Sequence, residues 1–334
     1  MDAHAILRLI TVGEILFHIP TISLTIYLVI LCNRLSTFSA NFKLIITVVV
    51  LSQSVVTVLQ PLELYVPSSI YSVEEGHVIP AVIFYTAAVI RTFVSGFFVL
   101  KYLLLAVERS VAFKQRGSYE DRGYGLAIKC LGTSSMLSIL FILVKTFNFY
   151  NSSKGMTLDR RLRYIFLIQY DLFGFLWIYN VAALTTVIAG LMFLRLHMAV
   201  KQHKFAFSLS ERYEIRRTKY VISYMRRLMS AFVVLLIVCA TCLSYLFYLK
   251  YWLGYSEEDD LMKIFLTIIN FSACVYNFVT TLYMVAEFPQ LARAMHDKIP
   301  FIIPKGKDVT VAPRQMGAIK EAEEYFRQLT DAWK

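Results

Sequence analysis

Seven stretches of mostly apolar residues, each bounded by polar punctuation, organise the chain: 10–32, 44–66, 79–107, 125–149, 165–194, 228–253 and 264–288. A hydrocarbon core about 30 Å thick takes about 20 helical residues to cross, so each run predicts one membrane-spanning helix. No segment between them is long enough for a separate soluble domain. The pattern predicts an all-α membrane protein: an N-terminal segment 1–9, a seven-helix bundle 10–288 and a tail 289–334. In the tail Pro289, Pro300, Pro304 and Pro313 break the apolar pattern. Beyond them Met316, Ile319, Ala322, Phe326, Leu329 and Trp333 return at helical spacing, which suits either an amphipathic helix at 315–333 or a disordered end. No basic start with a small-residue cleavage site precedes the first run, so that run is expected to remain in the membrane as a signal anchor.

Charge adds an orientation. Lysines and arginines near span ends are retained in the cytoplasm. With the N-terminus outside, 23 of the 34 basic residues fall in cytoplasmic segments and 6 in external ones. The expected topology is therefore N-terminus outside and C-terminus inside. Asn151-Ser152-Ser153, a glycosylation sequon, then falls outside, where Asn151 is the candidate acceptor. The net charge of +11 is thereby accounted for by topology, and nucleic acid is not an expected partner.

Composition agrees with this picture: 57% of residues are hydrophobic, 17% charged, and the mean hydropathy is +0.58. All five cysteines lie in apolar runs and read as small buried side chains, the pair Cys239-x-x-Cys242 included. His-Glu-x-x-His, Gly-x-Ser-x-Gly and phosphate-cradling glycine motifs are all missing from the sequence. Neither an enzyme with catalytic residues nor a bound metal or cofactor is expected.

Ionisable groups at membrane depth are costly and mark function or an internal pair. Arg91 falls near the middle of the third run, with Glu14 on the first and Glu63 on the second as possible partners. His18 lies one turn from Glu14, and Pro20 and Pro61 free backbone carbonyls nearby. Tyr179, Asn180, Tyr245, Asn270, Tyr276 and Asn277 offer further polar groups, either to line a pocket or to join helices. Arg91, Glu63, Glu14, His18, Tyr179, Asn180 and Tyr276 are the ligand-binding candidates. Lys101, Lys129, Lys145 and Lys250 are expected to snorkel to the nearer interface.

On the inner side the third run ends at Glu108-Arg109. Ser208-Leu-Ser-Glu211 reads as a capping box opening a helix that continues into the sixth run. Arg212, Arg216 and Lys219 share one face of that helix, either as a stripe beside anionic headgroups or as part of a signalling surface.

Glu108-Arg109-x-x-Ala112, Tyr119-Glu120, Asn41-Phe42-Lys43 and Leu209-Ser210-Glu211-Arg212-Tyr213, placed on this topology, resemble the nematode serpentine chemoreceptors. The likeness is to the superfamily joining their alpha, beta and epsilon classes, and covers about residues 10–289. It implies a G-protein-coupled receptor in the plasma membrane, specifically the ciliary membrane of sensory neurons. Such a receptor binds an external small molecule and activates a heterotrimeric G protein. It implies coupling roles for Glu108, Arg109, Tyr119, Glu120, Arg212, Tyr213, Arg216 and Lys219. The sequence departs from the pattern at Glu214 and Arg217-Thr218, where the family usually has Gln and Glu-Asn. The competing class is a seven-span ligand-gated channel or transporter, which an inverted orientation or an internal repeat would favour. Neither feature is seen.

Overall fold

A computed structural model describes residues 3–34, 39–115, 119, 123–167, 170–202, 209–256 and 259–287. The chain divides into two compact units, 1–282 and 283–334. The tail helix expected at 315–333 and Glu120 lie outside the described residues. Among the described residues eight α-helices follow in order: α1 (Ala3–Arg34), α2 (Ala40–Tyr65), α3 (Val78–Lys114), α4 (Gly125–Ser152), α5 (Leu158–Phe166), α6 (Leu172–Gln202), α7 (Leu209–Tyr251) and α8 (Asp260–Glu287). All but α5 are long and apolar enough to cross a membrane, which makes the fold a seven-helix membrane bundle. Met136, Leu140, Leu143 and Phe147 of α4 and Trp177 of α6 point outward, a surface suited to lipid rather than water. Two faces close the bundle: the N-terminal face, where α1 begins, and the opposite face, where α1 ends.

Helix α3 is the hub, packing on α2, α4, α6 and α7. Contact with α4 depends on Gly96, where a Cβ would come within 1.9 Å of Ser138 Oγ. Small residues permit such close approach between membrane helices, where dispersion rather than the hydrophobic effect holds the pair. Helix α1 meets α8 through Phe17, which sits edge-on to Phe271 and Phe278 with centroids 5.7 and 5.5 Å away.

The fifth span starts at Leu172, seven residues later than the apolar pattern suggests. Ile165 and Leu167 are buried, and Leu167 packs with Tyr71, Phe84, Tyr85 and Tyr170 in a cap over the N-terminal face. Apolar residues that fill a local core are indistinguishable by hydropathy from residues that face lipid. Asp171 opens α6: its Oδ1 accepts the Gly174 N–H at 2.7 Å, and a Cβ at Gly174 would collide with that carboxylate.

Asp159 of α5 ties the cap together, accepting hydrogen bonds from the Ser72 hydroxyl, from Val73 N–H at 2.8 Å and from Glu74 N–H at 3.4 Å. Burial pushes its carboxyl up, but these donors and the nearby Arg163 outweigh that and hold it below the ordinary value of 3.8. A depressed folded-state value stabilises the cap fully above pH 3.8, and that contribution is lost as pH falls below it. Amide hydrogen exchange across 66–77 is therefore expected to accelerate as pH drops to 3, after correction for intrinsic rates. In Asp159→Asn this acid-induced step disappears.

Candidate functional site

Three polar clusters lie along α3. The first is in the half nearer the N-terminal face. Arg91, roughly 20 Å along α3 at 1.5 Å per residue, is buried and places Nε 3.0 Å from Oε1 of Glu63 on α2. Glu63 rather than Glu14 is thus its partner. Arg91 Nη2 is buried and has no hydrogen-bond acceptor among the described residues. A second ion pair, Lys145–Asp171 at 3.5 Å, joins α4 to the start of α6 beside it. Lys145 therefore turns into the protein instead of reaching for the interface, because Asp171 offers a nearer counter-charge.

Glu14 belongs to a separate network. The Tyr65 hydroxyl donates to Glu14 Oε2 at 3.1 Å and lies 3.3 Å from Thr267 Oγ1. His18 places Nε2 3.8 Å from Glu14 Oε1 and Nδ1 3.1 Å from Cys274 Sγ. It also interacts with the backbone of Thr57, four residues before Pro61, where the proline ring leaves a carbonyl without its helical donor. The expected role of the α2 proline is met inside the bundle, as lipid offers no donor.

A cavity of about 120 Å³ lies among α2, α3, α6, α7 and α8. Arg91, Thr92 and Ser95 form part of one wall and Tyr179 of another, while Val56, Phe175, Ile178, Leu235 and Ile269 make most of the lining apolar. An engineered cavity of about 150 Å³ accepts benzene, which sets the scale of a fitting molecule. Asn180, grouped with Tyr179 by sequence, points away: it is exposed, and its amide donates to the Leu176 carbonyl at 2.8 Å. One helical position rotates a side chain by about 100°, enough to take it from cavity to lipid.

Amides at Gln53 and Gln60 were not among the residues singled out from sequence. Gln53 Nε2 donates to Asn277 Oδ1 at 2.6 Å, and Gln60 pairs with Asn270, so two amide bridges fasten α2 to α8. Their i, i+7 spacing in an apolar run is the signal that marks a shared inward face.

The second cluster surrounds Lys101, which is 3% exposed. Its Nζ donates to the Tyr276 hydroxyl at 2.8 Å and lies 4.0, 4.3 and 4.2 Å from the ring centres of Phe98, Phe232 and Tyr276. Expected at the interface, Lys101 is instead interior. Helix α3 continues to Lys114, and the cation meets aromatic faces and a hydroxyl in place of water. Tyr102 completes the joint, donating to the Leu228 carbonyl of α7 at 2.8 Å and standing 2.5 Å from the Tyr276 hydroxyl of α8. Phe98 and Phe232 face Lys101 and also line the cavity.

The third cluster closes the opposite face. Glu108 and Arg109 are both fully buried and bonded to each other through Arg109 Nε and Nη2. Glu108 Oε1 also accepts from Ser39 Oγ at 3.1 Å and from the Tyr119 hydroxyl at 2.8 Å. Ser39 is the N-cap of α2 and meets Arg109 Nη2 at 3.2 Å; the guanidinium lies 5.1 Å from the Phe42 ring centre. Asn41 accepts the Ala127 N–H of α4 at 2.9 Å and hydrogen-bonds Tyr119. The cluster joins the start of α2, the end of α3, the loop after it and the start of α4.

Helix α7 runs unbroken from Leu209, so the helix expected to continue into the sixth span does so. Lys219 is exposed on it, whereas the side chains of Arg212, Tyr213 and Arg216 lie outside the described ones. Asn151 is exposed in the last turn of α4. The five cysteines are free. No protein-family model matches the chain, and no curated protein matches it in sequence.

Proposed function

We propose that the protein is a chemosensory receptor that signals through a heterotrimeric G protein. Its N-terminal face lies outside the cell and its opposite face in the cytoplasm of the plasma membrane. The observation that carries this reading is the convergence of Asn41, Glu108, Arg109 and Tyr119. These residues, which carry the resemblance to the serpentine chemoreceptors, meet in one buried cluster. The loop-charge asymmetry supports the orientation.

The ligand is a small, mainly apolar molecule that enters the cavity and offers an acceptor oxygen to Arg91 Nη2. A guest there presses on Phe98 and Phe232, whose other side holds Lys101. A shift of those rings moves Tyr102 of α3 against the Leu228 carbonyl of α7 and against Tyr276 of α8. Ligand selects between two packings of the bundle to the extent that it binds them differently. Because Glu108 and Arg109 are wholly buried, they act by holding the inner ends of α2, α3 and α4 closed. Release of that latch, together with the basic face of α7, presents the surface to the G protein.

The test is reconstitution in lipid bilayers with heterotrimeric G protein and a panel of small oxygenated organic molecules. Ligand-dependent nucleotide exchange is expected. Ligand-gated current without exchange contradicts the reading and favours the channel class.

A further inference from the structure

Near the opposite face α6 and α7 are separated by a groove of about 610 Å³, lined among the described residues by these two helices. Its composition changes along its length. Gly190 and Met229 form the deep end, and Phe193 and Ile222 the floor. Toward the face the lining becomes His197 and Arg226, and at the rim Lys201 and Lys219. All four of these polar side chains are exposed, and among the described residues no carboxylate lines the groove. Gly190 lies in the fifth apolar run, which ends at residue 194, and Lys201 stands seven residues beyond it; Arg226 and Lys219 precede the sixth run, which opens at residue 228, by two and nine residues. The cations therefore stand at headgroup depth and the apolar end within the hydrocarbon. From Gly190 to Lys201 the helix rises roughly 16 Å at 1.5 Å per residue, about half the thickness of a hydrocarbon core.

We propose that this groove is a binding site for an anionic phospholipid, with the phosphate between Lys201, Lys219 and Arg226 and one acyl chain along Phe193 toward Gly190. Charge selects the headgroup, since clustered positive groups at headgroup depth attract anionic lipid. Shape sets where the chain stops: a Cβ on Gly190 would lie 3.3 Å from Met229 Cε, so the groove closes where these two residues meet. A free phosphate satisfies the cations but leaves the apolar half empty. A neutral lipid fills the apolar half without using the cations. The site is independent of the cavity beside Arg91 and of the receptor reading.

The test uses the full-length protein purified in a neutral detergent, with spin-labelled phosphatidylglycerol or phosphatidylcholine of equal chain length as probes. The fraction of immobilised label is the readout. Wild type is expected to hold phosphatidylglycerol at least tenfold more tightly than phosphatidylcholine. The triple variant Lys201→Gln, Lys219→Gln, Arg226→Gln loses that preference while still binding both lipids weakly. Gly190→Leu, which fills the deep end, weakens both lipids and keeps the preference among what binds. Circular dichroism and a thermal melt confirm that each variant is folded; variants that fail this control are replaced by the single Arg226→Gln, which retains part of the preference. Equal retention of the two lipids by wild type overturns the proposal. So does an unchanged preference in the folded charge variants, or full displacement of the lipid by millimolar inorganic phosphate.

Discussion

Arg109→Ala is expected to lower the stability of the detergent-solubilised protein by about 3–5 kcal/mol, the usual cost of leaving one partner of a buried ion pair alone. Glu108 and Arg109 are both fully buried, and removal of the guanidinium leaves a carboxylate with Ser39 and Tyr119 as its donors among the described residues. Arg109→Ala with Glu108→Gln removes the stranded charge and recovers most of the loss. Thermal melts of the two variants measure this directly; a single variant as stable as wild type shows that Glu108 reaches water. The consequence for function is practical. Failure of Arg109→Ala to signal reports lost folding as readily as lost coupling, so the double variant is the one to assay.

Arg91→Leu carries the second large effect, also about 3–5 kcal/mol, because Glu63 then keeps its charge within an apolar bundle. At 3.0 Å the pair is tight, and both side chains are buried. Arg91→Leu with Glu63→Leu is expected to fold nearly as well as wild type, since a buried pair replaced by apolar groups of similar size is often neutral. In the proposed reading that double variant is folded but blind to a ligand with an acceptor oxygen. Melting temperature separates the first effect from the second, and exchange assays on the folded double variant read the second.

Seven helices were legible because lipid imposes a simple rule: a run long and apolar enough to cross must be helical if its backbone is to be satisfied. Arg91 stood out for the same reason, since a charge near mid-span has no route to water. Residues such as Ile165 and Leu167 misled, because hydropathy records apolar character and not whether lipid or a local cap receives it. Lys101 misled differently. Its distance from the expected span end invited an exit to the interface, yet four aromatic residues from three helices, Phe98, Tyr102, Phe232 and Tyr276, gather around it. No local pattern announces such a cage. Asn180 shows the limit of neighbour reasoning, as Tyr179 meets the cavity and the next residue faces outward. Of the inner motif, Glu108, Arg109 and Tyr119 were named from sequence, but their burial in one cluster with Ser39 and Asn41 required the fold.

Tyr119→Phe gives the most direct test that the buried cluster governs coupling. It removes a single hydroxyl, the donor 2.8 Å from Glu108 Oε1, and leaves the Glu108–Arg109 pair in place. Nucleotide exchange on a reconstituted heterotrimeric G protein is the measurement, with wild type and variant at equal density in the bilayer and no ligand added. Severalfold faster basal exchange in Tyr119→Phe is the predicted result. Exchange that neither form stimulates, or that the variant leaves unchanged, contradicts it.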